Sequence, residues 1–270
     1  MRLLRTSKCS DIPTIIENGE SVTDPKKKAD ILNQHFSSKA TVPGENDNPP
    51  HLNKFDVLSD LSNFNTSPLE LGKIMRELKK SQSSHCGVSE KFLSLISTTI
   101  SFPMSQMLNE IFQNGYFPDT FKLAHVTCIW KQKGVKSSKL FYRPISLLPS
   151  MSKCMESVIH SRLLSHLIEN NLISIRQAAY LKGDSTTNQL LYILHRIRSA
   201  WQQGNIVQGS FMDVDGAFEK ICHKGLLAKL EQASVTENCL KLFESYLSNA
   251  TQSWHSARIK AWTHPLHFVH

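Results

Sequence analysis

Along the chain, stretches in which apolar residues recur every three or four positions alternate with polar stretches rich in Pro, Gly, Asn and Lys. Asp24-Pro25 has the form of a helix N-cap followed by proline at the first helical position, and Ile31, Leu32, His35 and Phe36 then give a short amphipathic helix. Residues 41–50 hold Pro, Gly, Asn and Asp with few apolar groups and predict a linker or surface loop. Ser67-Pro68-Leu69-Glu70 reads as a capping box, and Leu71, Ile74, Met75 and Leu78 follow at helical spacing. Lys79-Lys80-Ser81-Gln82 ends that helix in a basic, flexible loop. Met104, Met107, Leu108, Ile111 and Phe112 mark a further helix, closed by Asn114-Gly115.

In the second half the pattern mixes periods. Leu123 to Trp130 is rich in β-formers and predicts a strand, followed by a basic loop from Lys131 to Lys139. Met155, Val158, Ile159, Leu163 and Leu167 form one face of a long helix that stops near Asn170-Asn171. Gly183-Asp184-Ser185 caps another, with Leu190, Ile193, Leu194, Ile197 and Trp201 on one side. Gly204-Asn205 turns into an apolar run, Ile206 to Met212, that predicts a strand ending at Asp213. Two helices close the pattern, near Gly225–Gln232 and Glu237–Leu247. There is no internal repeat, and the order of elements predicts an α+β fold rather than a regularly alternating α/β sheet.

Composition changes this picture in few respects. Hydrophobic content of 40% and charged content of 20% over 270 residues are those of an ordinary globular protein. A net charge of +8 leans toward a polyanionic partner, nucleic acid before an anionic membrane surface, although a solvated basic surface has the same composition. Six cysteines at wide, irregular spacing form no C-x-x-C pair and suggest neither a zinc ribbon nor a disulfide scaffold. With no secretory pattern, the expected setting is a reducing intracellular compartment, nucleus or cytoplasm. No apolar run approaches the ~18 residues that span a bilayer, so no membrane partner is expected.

Three constellations could carry chemistry. Asp213 would sit at the exposed end of a strand beside small residues, where a divalent cation and phosphate oxygens can reach it; Asp215 lies two residues on, and solvated carboxylates at a strand–turn junction fit the same residues. Lys131, Lys133, Lys136 and Lys139 precede Tyr142-Arg143, joining mobile point charges to a planar guanidinium fork suited to phosphate oxygens. Lys182-Gly183-Asp184-Ser185-Thr186 opens a helix, where backbone donors and a lysine can take a phosphate or simply cap the helix.

Taken in order, these segments resemble the reverse transcriptases of non-LTR (LINE or jockey-type) retrotransposons. Tyr142-Arg143-Pro144-Ile145-Ser146-Leu147-Leu148 followed by a helix resembles their fingers motif. Gln177-Ala178-Ala179-Tyr180-Leu181-Lys182-Gly183-Asp184-Ser185-Thr186 resembles the block usually written Q-x-G-F-R-x-G-x-S-T. Phe211-Met212-Asp213 through Ala217-Phe218-Glu219, with His223-Lys224-Gly225-Leu226 beyond, resembles the first palm motif. The likeness runs from about Ile12 to Gln252.

The resemblance implies a right-hand polymerase: residues 1–66 an N-terminal helix and linker, 67–117 a helical pre-fingers region, 118–205 fingers, 206–252 the start of the palm, and 253–270 an aberrant tail. It implies two-metal nucleotidyl transfer with Mg²⁺ or Mn²⁺, an RNA template, a DNA primer and deoxynucleoside triphosphates. By resemblance Asp213 is the metal carboxylate and Val214 lends a carbonyl. Arg143 with Lys131 or Lys133 holds the triphosphate, and Phe218 excludes a ribose 2′-hydroxyl. Lys136, Lys139 and Lys182 meet the nucleic-acid backbone. The departures are Gly216 in place of the usual Lys, Glu219 in place of Asp, and the absence of any Asp-Asp pair. The expectation is therefore a C-terminally truncated enzyme lacking activity. The alternatives are a non-catalytic nucleic-acid-binding remnant or, from Asp213-Val214-Asp215-Gly216 alone, a phosphatase with Asp213 as nucleophile.

Overall fold

A computed structural model describes residues 12–40, 55–78, 88–181, 183–214, 217 and 221–248. Its eight described helices and two two-stranded sheets make an α+β fold.

The chain enters as a hairpin. Strands β1 (Ile15–Glu17) and β2 (Glu20–Val22) pair antiparallel across Asn18-Gly19, both at positive φ (51° and 86°). That is the two-residue turn whose twist suits a hairpin, and Asn-Gly is its preferred sequence. Helix α1 (Pro25–Ala40) starts as expected, with Asp24 Oδ2 accepting the Lys27 N–H at 2.8 Å.

Most of the mass is helical. Helix α2 (Pro68–Glu77) begins at Ser67, whose hydroxyl accepts the Glu70 N–H at 3.2 Å. Helix α3 (Glu90–Asn114) extends well upstream of its Met-rich part and ends at Gly115, which takes φ 60°. A side chain there would come within 2.9 Å of Lys241, so the left-handed cap and the packing both require glycine. A single turn, α4 (Asp119–Lys122), leads into β3 (His125–Trp130). Strand β4 (Tyr142–Leu147) pairs with β3 antiparallel, Trp130 opposite Tyr142 and His125 opposite Leu147. Helices α5 (Ser150–Glu169), α6 (Thr186–Gln202), α7 (His223–Gln232) and α8 (Glu237–Leu247) complete the order close to the boundaries that periodicity predicts.

Two cores form. The larger gathers Phe64 from the segment before α2 with Leu71, Met75, Leu108, Phe112, Met155, Val158 and Leu242 from α2, α3, α5 and α8, the rings of Phe64 and Phe112 meeting edge to face at 5.7 Å. The smaller joins the N-terminal segment to the second hairpin through Ile15, Leu32, Phe36 and Tyr142, with Cys128 and Trp130 against it. A strap before α2 stitches the larger core shut. Phe55 N–H donates to the Gln232 carbonyl, Leu61 N–H to that of Ser234 and Thr236 N–H to that of Leu61, at 3.1, 2.8 and 2.9 Å. Leu58 N–H donates to Asn170 Oδ1 at 2.6 Å. Leu61 and Val235 thereby form an isolated parallel bridge.

One expected strand does not form, and one apolar helix face is left open. The run Ile206–Met212 is not a strand: residues 205–214 are irregular, and Ile206, Phe211 and Met212 are more than 90% exposed. β-propensity does not make a strand without a partner ladder. Both described sheets pair only within themselves, so no strand lies beside this segment among the described residues. The apolar side of α6 does not pack either: none of its residues is buried, and Leu190, Leu191 and Leu194 are 57–60% exposed. Periodicity marks a face that favours burial and is silent about what covers it.

Candidate nucleotide and nucleic-acid interface

The basic loop is the tip of the β3–β4 hairpin. Lys131 N–H donates to the Phe141 carbonyl at 2.8 Å, extending the ladder one step past Trp130. Gln132 and Gly134 then turn the chain at φ 57° and 69°, and a one-turn 3-10 helix over Lys139–Phe141 returns it. A Cβ on Gly134 would lie 2.4 Å from the Phe141 ring, so the turn is closed by a ring seated on bare backbone. Ser138 Oγ accepts from Leu140 N–H at 3.4 Å.

This frame sorts the cations. Strand alternation puts Tyr142 inward, nearly buried, and Arg143 outward beside its register partner Ile129. Arg143 and Lys133 are exposed and make no ion pair among the described residues. Lys136 is exposed with its ammonium 4.8 Å from the centroid of the Trp130 ring, a cation–π contact that still leaves the charge facing water. Lys131 Nζ donates to the Leu140 carbonyl at 3.1 Å. Lys139 is ion-paired with Glu17 of β1. Tyr142 fastens the loop from below, its hydroxyl donating to the Lys136 carbonyl at 2.7 Å, and burial raises its pKa. The hairpin thus turns Lys133, Lys136 and Arg143 to solvent and ties down Lys131 and Lys139.

Of the other expected site residues, the described ones, Asp213 and Val214, make no ion pair or side-chain hydrogen bond with it among the described residues. Asp213 and Val214 lie in the irregular, exposed segment before residue 215. Lys182 and Phe218, like Asp215, Gly216 and Glu219, are outside the described residues. Among the described residues no three His, Cys, Asp or Glu side chains converge on a point, and Asp213 is the one carboxylate described between 205 and 214. One exposed carboxylate and a backbone carbonyl do not by themselves make a two-metal site. Burial pushes the thiols of Cys128, Cys154 and Cys239 up to about 12, so at neutral pH these three are not thiolates.

Between these regions the loop before α6 borders an open cleft of about 570 Å³ against α5, lined by His160, Leu164, Tyr180, Asp184 and Gln189 among others. Ser185 caps α6 by accepting the Asn188 N–H at 3.2 Å, and Asp184 accepts from Gln189 Nε2 at 3.2 Å. Tyr180 holds φ 65°, a conformation costly for an aromatic residue. Desolvation lowers the pKa of His160, favouring the neutral ring.

Sequence reading missed Glu17, Gly134 and the strand character of Tyr142–Leu147. Asn18-Gly19 between short apolar runs is a hairpin signal and could have revealed β1–β2. Pro144 disguised β4, because proline is tolerated only on an edge, which a two-stranded sheet supplies twice. No sequence signal links Glu17 to Lys139, 122 positions away.

The hairpin and the segments after it have known relatives. Residues 131–264 match the family model described as reverse transcriptase (RNA-dependent DNA polymerase). The match starts at the basic loop, takes in the fingers-like motif, the α6 cap and Asp213, and runs past Gln252, where the motif reading ends the likeness. The chain is 28% identical over 181 residues to a probable RNA-directed DNA polymerase from transposon X-element of Drosophila melanogaster, covering 67% of this chain and 20% of that protein. It is 31% identical over 129 residues to the RNA-directed DNA polymerase from mobile element jockey of the same species, covering 48% and 14%. A putative 115 kDa protein in type-1 retrotransposable element R1DM aligns over 247 residues at 24% identity, 89% of this chain and 22% of that one. The chain therefore spans about a fifth or less of the first two relatives, and no described helix is long and apolar enough to cross a membrane.

Proposed function

We propose that this chain, whose residues 131–264 match the reverse transcriptase family model, supplies the fingers and first palm motif of an RNA-directed DNA polymerase of the non-LTR retrotransposon type. The supporting observation is that the family match begins at Lys131 and contains the tip of the β3–β4 hairpin, which turns Lys133, Lys136 and Arg143 to solvent. In this reading residues 67–117 precede the fingers, 118–205 form them and 206–252 begin the palm, with 1–66 as N-terminal helix and linker and 253–270 as the tail. Arg143 offers its planar fork to a deoxynucleoside triphosphate, with Lys131 and Lys133 as neighbouring charge. Lys136 and Lys182 meet the backbone of an RNA template or DNA primer, and Lys139 joins them only where Glu17 gives it up. Phe218 borders the ribose.

Asp213 is proposed as the first carboxylate for Mg²⁺ or Mn²⁺, with the Val214 carbonyl beside it. The described donors do not complete such a site, and no catalytic step is assigned to them. The proposal for the 270-residue chain on its own is nucleic-acid binding without polymerisation. Its exposed Asp213 and the absence of an Asp-Asp pair from the sequence favour binding over catalysis.

Primer extension on an RNA template with Mg²⁺ or Mn²⁺ tests the catalytic half. No product is expected, and product abolished by Asp213→Ala overturns it. Retention of a single-stranded RNA at low salt tests the binding half. Affinity should fall steeply with salt, and Lys136→Ala with Lys182→Ala should flatten that dependence by about 0.7 of a power of salt for each phosphate no longer neutralised. An unchanged dependence in the double variant places the binding surface elsewhere.

A further inference from the structure

Of the lysines at the hairpin tip, Lys139 is answered by a carboxylate of the protein itself. Glu17 pairs with Lys139, and both side chains are more than two-thirds removed from solvent. An isolated surface ion pair would be worth little and would open readily to a competing phosphate. This pair is not isolated. One residue before Glu17, the Ile16 N–H donates to the Ser137 carbonyl at 2.8 Å. One residue before that, Ile15 is completely buried in the small core with Leu32, Phe36 and Tyr142. Where the chain runs into the hairpin, Lys28 Nζ donates to the Ile12 carbonyl at 2.8 Å. The backbone thus delivers a carboxylate to Lys139 however weak the ion pair itself is. A phosphate arriving from solution must displace a tethered group of high effective concentration.

The tip of the β1–β2 hairpin is also acidic by construction. Glu17 stands opposite Glu20 in the register, a like-charge cross-strand pair that costs stability unless a cation answers it. Lys139 is that cation. Glu17 and Lys139 form a charge-paired seam between the N-terminal segment and the basic loop, with apolar packing beneath it.

We propose that the β1–β2 hairpin is an internal competitor for phosphate: Glu17 withholds Lys139 from nucleic acid, and the N-terminal segment thereby sets how strongly the basic loop grips a backbone. The inference rests on the nucleic-acid-binding reading above. It goes beyond that reading in making Glu17 the group that decides whether Lys139 reaches a phosphate.

The test measures affinity of the full chain for a single-stranded oligouridylate across a salt series. Glu17→Gln frees one cation, so the slope of log affinity against log salt should steepen by about 0.7, the single-strand value for one more neutralised phosphate. Adding Lys139→Gln to it should return the slope to that of the unsubstituted chain, because a neutral pair replaces a neutralised one. The exchanged pair Glu17→Lys with Lys139→Glu keeps the hairpin docked and should also match the unsubstituted slope, which guards against a Glu17→Gln chain whose hairpin has come loose. A Glu17→Gln slope equal to the unsubstituted one overturns the inference. So does a Glu17→Gln/Lys139→Gln slope shallower than the unsubstituted one, since Lys139 would then already be on phosphate. If neither the unsubstituted chain nor Glu17→Gln binds the oligonucleotide, the underlying reading fails and the inference with it. Binding with an unchanged slope removes the inference alone.

Discussion

Helices α5 and α6 follow one another, are 20 and 17 residues long, and both carry apolar residues at helical spacing, yet they meet different fates. In α5 the stripe is covered: Cys154, Met155, Val158 and Ile159 are at most 3% exposed, packed among residues from α2, α3 and α8. In α6 the stripe is open, and the irregular segment after it leaves Ile206, Phe211 and Met212 in water as well. The region that holds the fold together is thus distinct from α6 and the irregular segment that ends at Asp213 and Val214.

The sharpest way to break this contrast is amide hydrogen exchange. Amides of Ile206–Met212 make no ladder and should exchange at nearly unprotected rates, whereas those in the middle of α5 should exchange only through global opening, orders of magnitude more slowly. Equal protection in the two places would show that the segment finds partners in solution. Side-chain truncation should divide the same way. Met155→Ala removes a fully buried side chain and should cost about 2–5 kcal/mol in urea unfolding.

The next effect is set by pH and acts within the buried region. Glu156 on α5 accepts from the Tyr246 hydroxyl of α8 at 3.1 Å, beside Phe117, Ile159, Leu242 and Phe243. Burial holds its carboxyl up to about 7 against an ordinary 4.5, with Tyr246, Lys153 and Ser152 pulling the other way. Lys153 is itself engaged with Glu90 of α3 at 2.8 Å. Between the two values the folded chain holds a proton that the unfolded chain has released. Its contribution is therefore complete below about pH 4.5, lost as pH rises to about 7, and flat above that. At about 1.4 kcal/mol per pH unit over that window, the loss should amount to about 3 kcal/mol. Glu156→Gln should flatten this part of the stability–pH curve while leaving α8 docked. A slope unchanged by the substitution would assign the titration to another group.

The smallest effect belongs to the open helix. Leu194→Gln replaces a side chain that is 59% exposed, so unfolding free energy should move by no more than about 0.5 kcal/mol. Sedimentation should show less self-association, because an exposed apolar stripe has been interrupted. A large loss of stability would mean that α6 is packed in solution and that the two helices are alike.

Helix starts and stops were the most legible part of the sequence because they depend on neighbours. Asp24-Pro25, Ser67 with Glu70, Gly115 and Ser185 each act within one turn of where they stand. The strand Leu123–Trp130 was legible for the same reason, although its partner was hidden by Pro144. The strand expected over Ile206–Met212 was not decided locally, since a ladder needs a second chain segment and local pattern cannot name one. The candidate site divides along the same line. The lysines and Arg143 were found by composition of a short loop, but their sorting into open and engaged groups depends on Glu17, Trp130 and Leu140, which only the fold brings near.

The strap that joins Leu61 to Val235 has a consequence for how the chain is made. Synthesis adds about 5–20 residues per second, so the early half of the larger core waits on the ribosome for many seconds before its closing partner exists. Until Ser234 and Thr236 emerge, the backbone groups of Leu61 have no mate, and the apolar faces of α2 and α3 are covered only by each other and then by α5. Such a long-range closure is a slow step with a high loop-closure cost. The nascent chain is therefore most exposed to chaperones, and to other nascent copies of itself, in the interval between completion of α5 and arrival of α7.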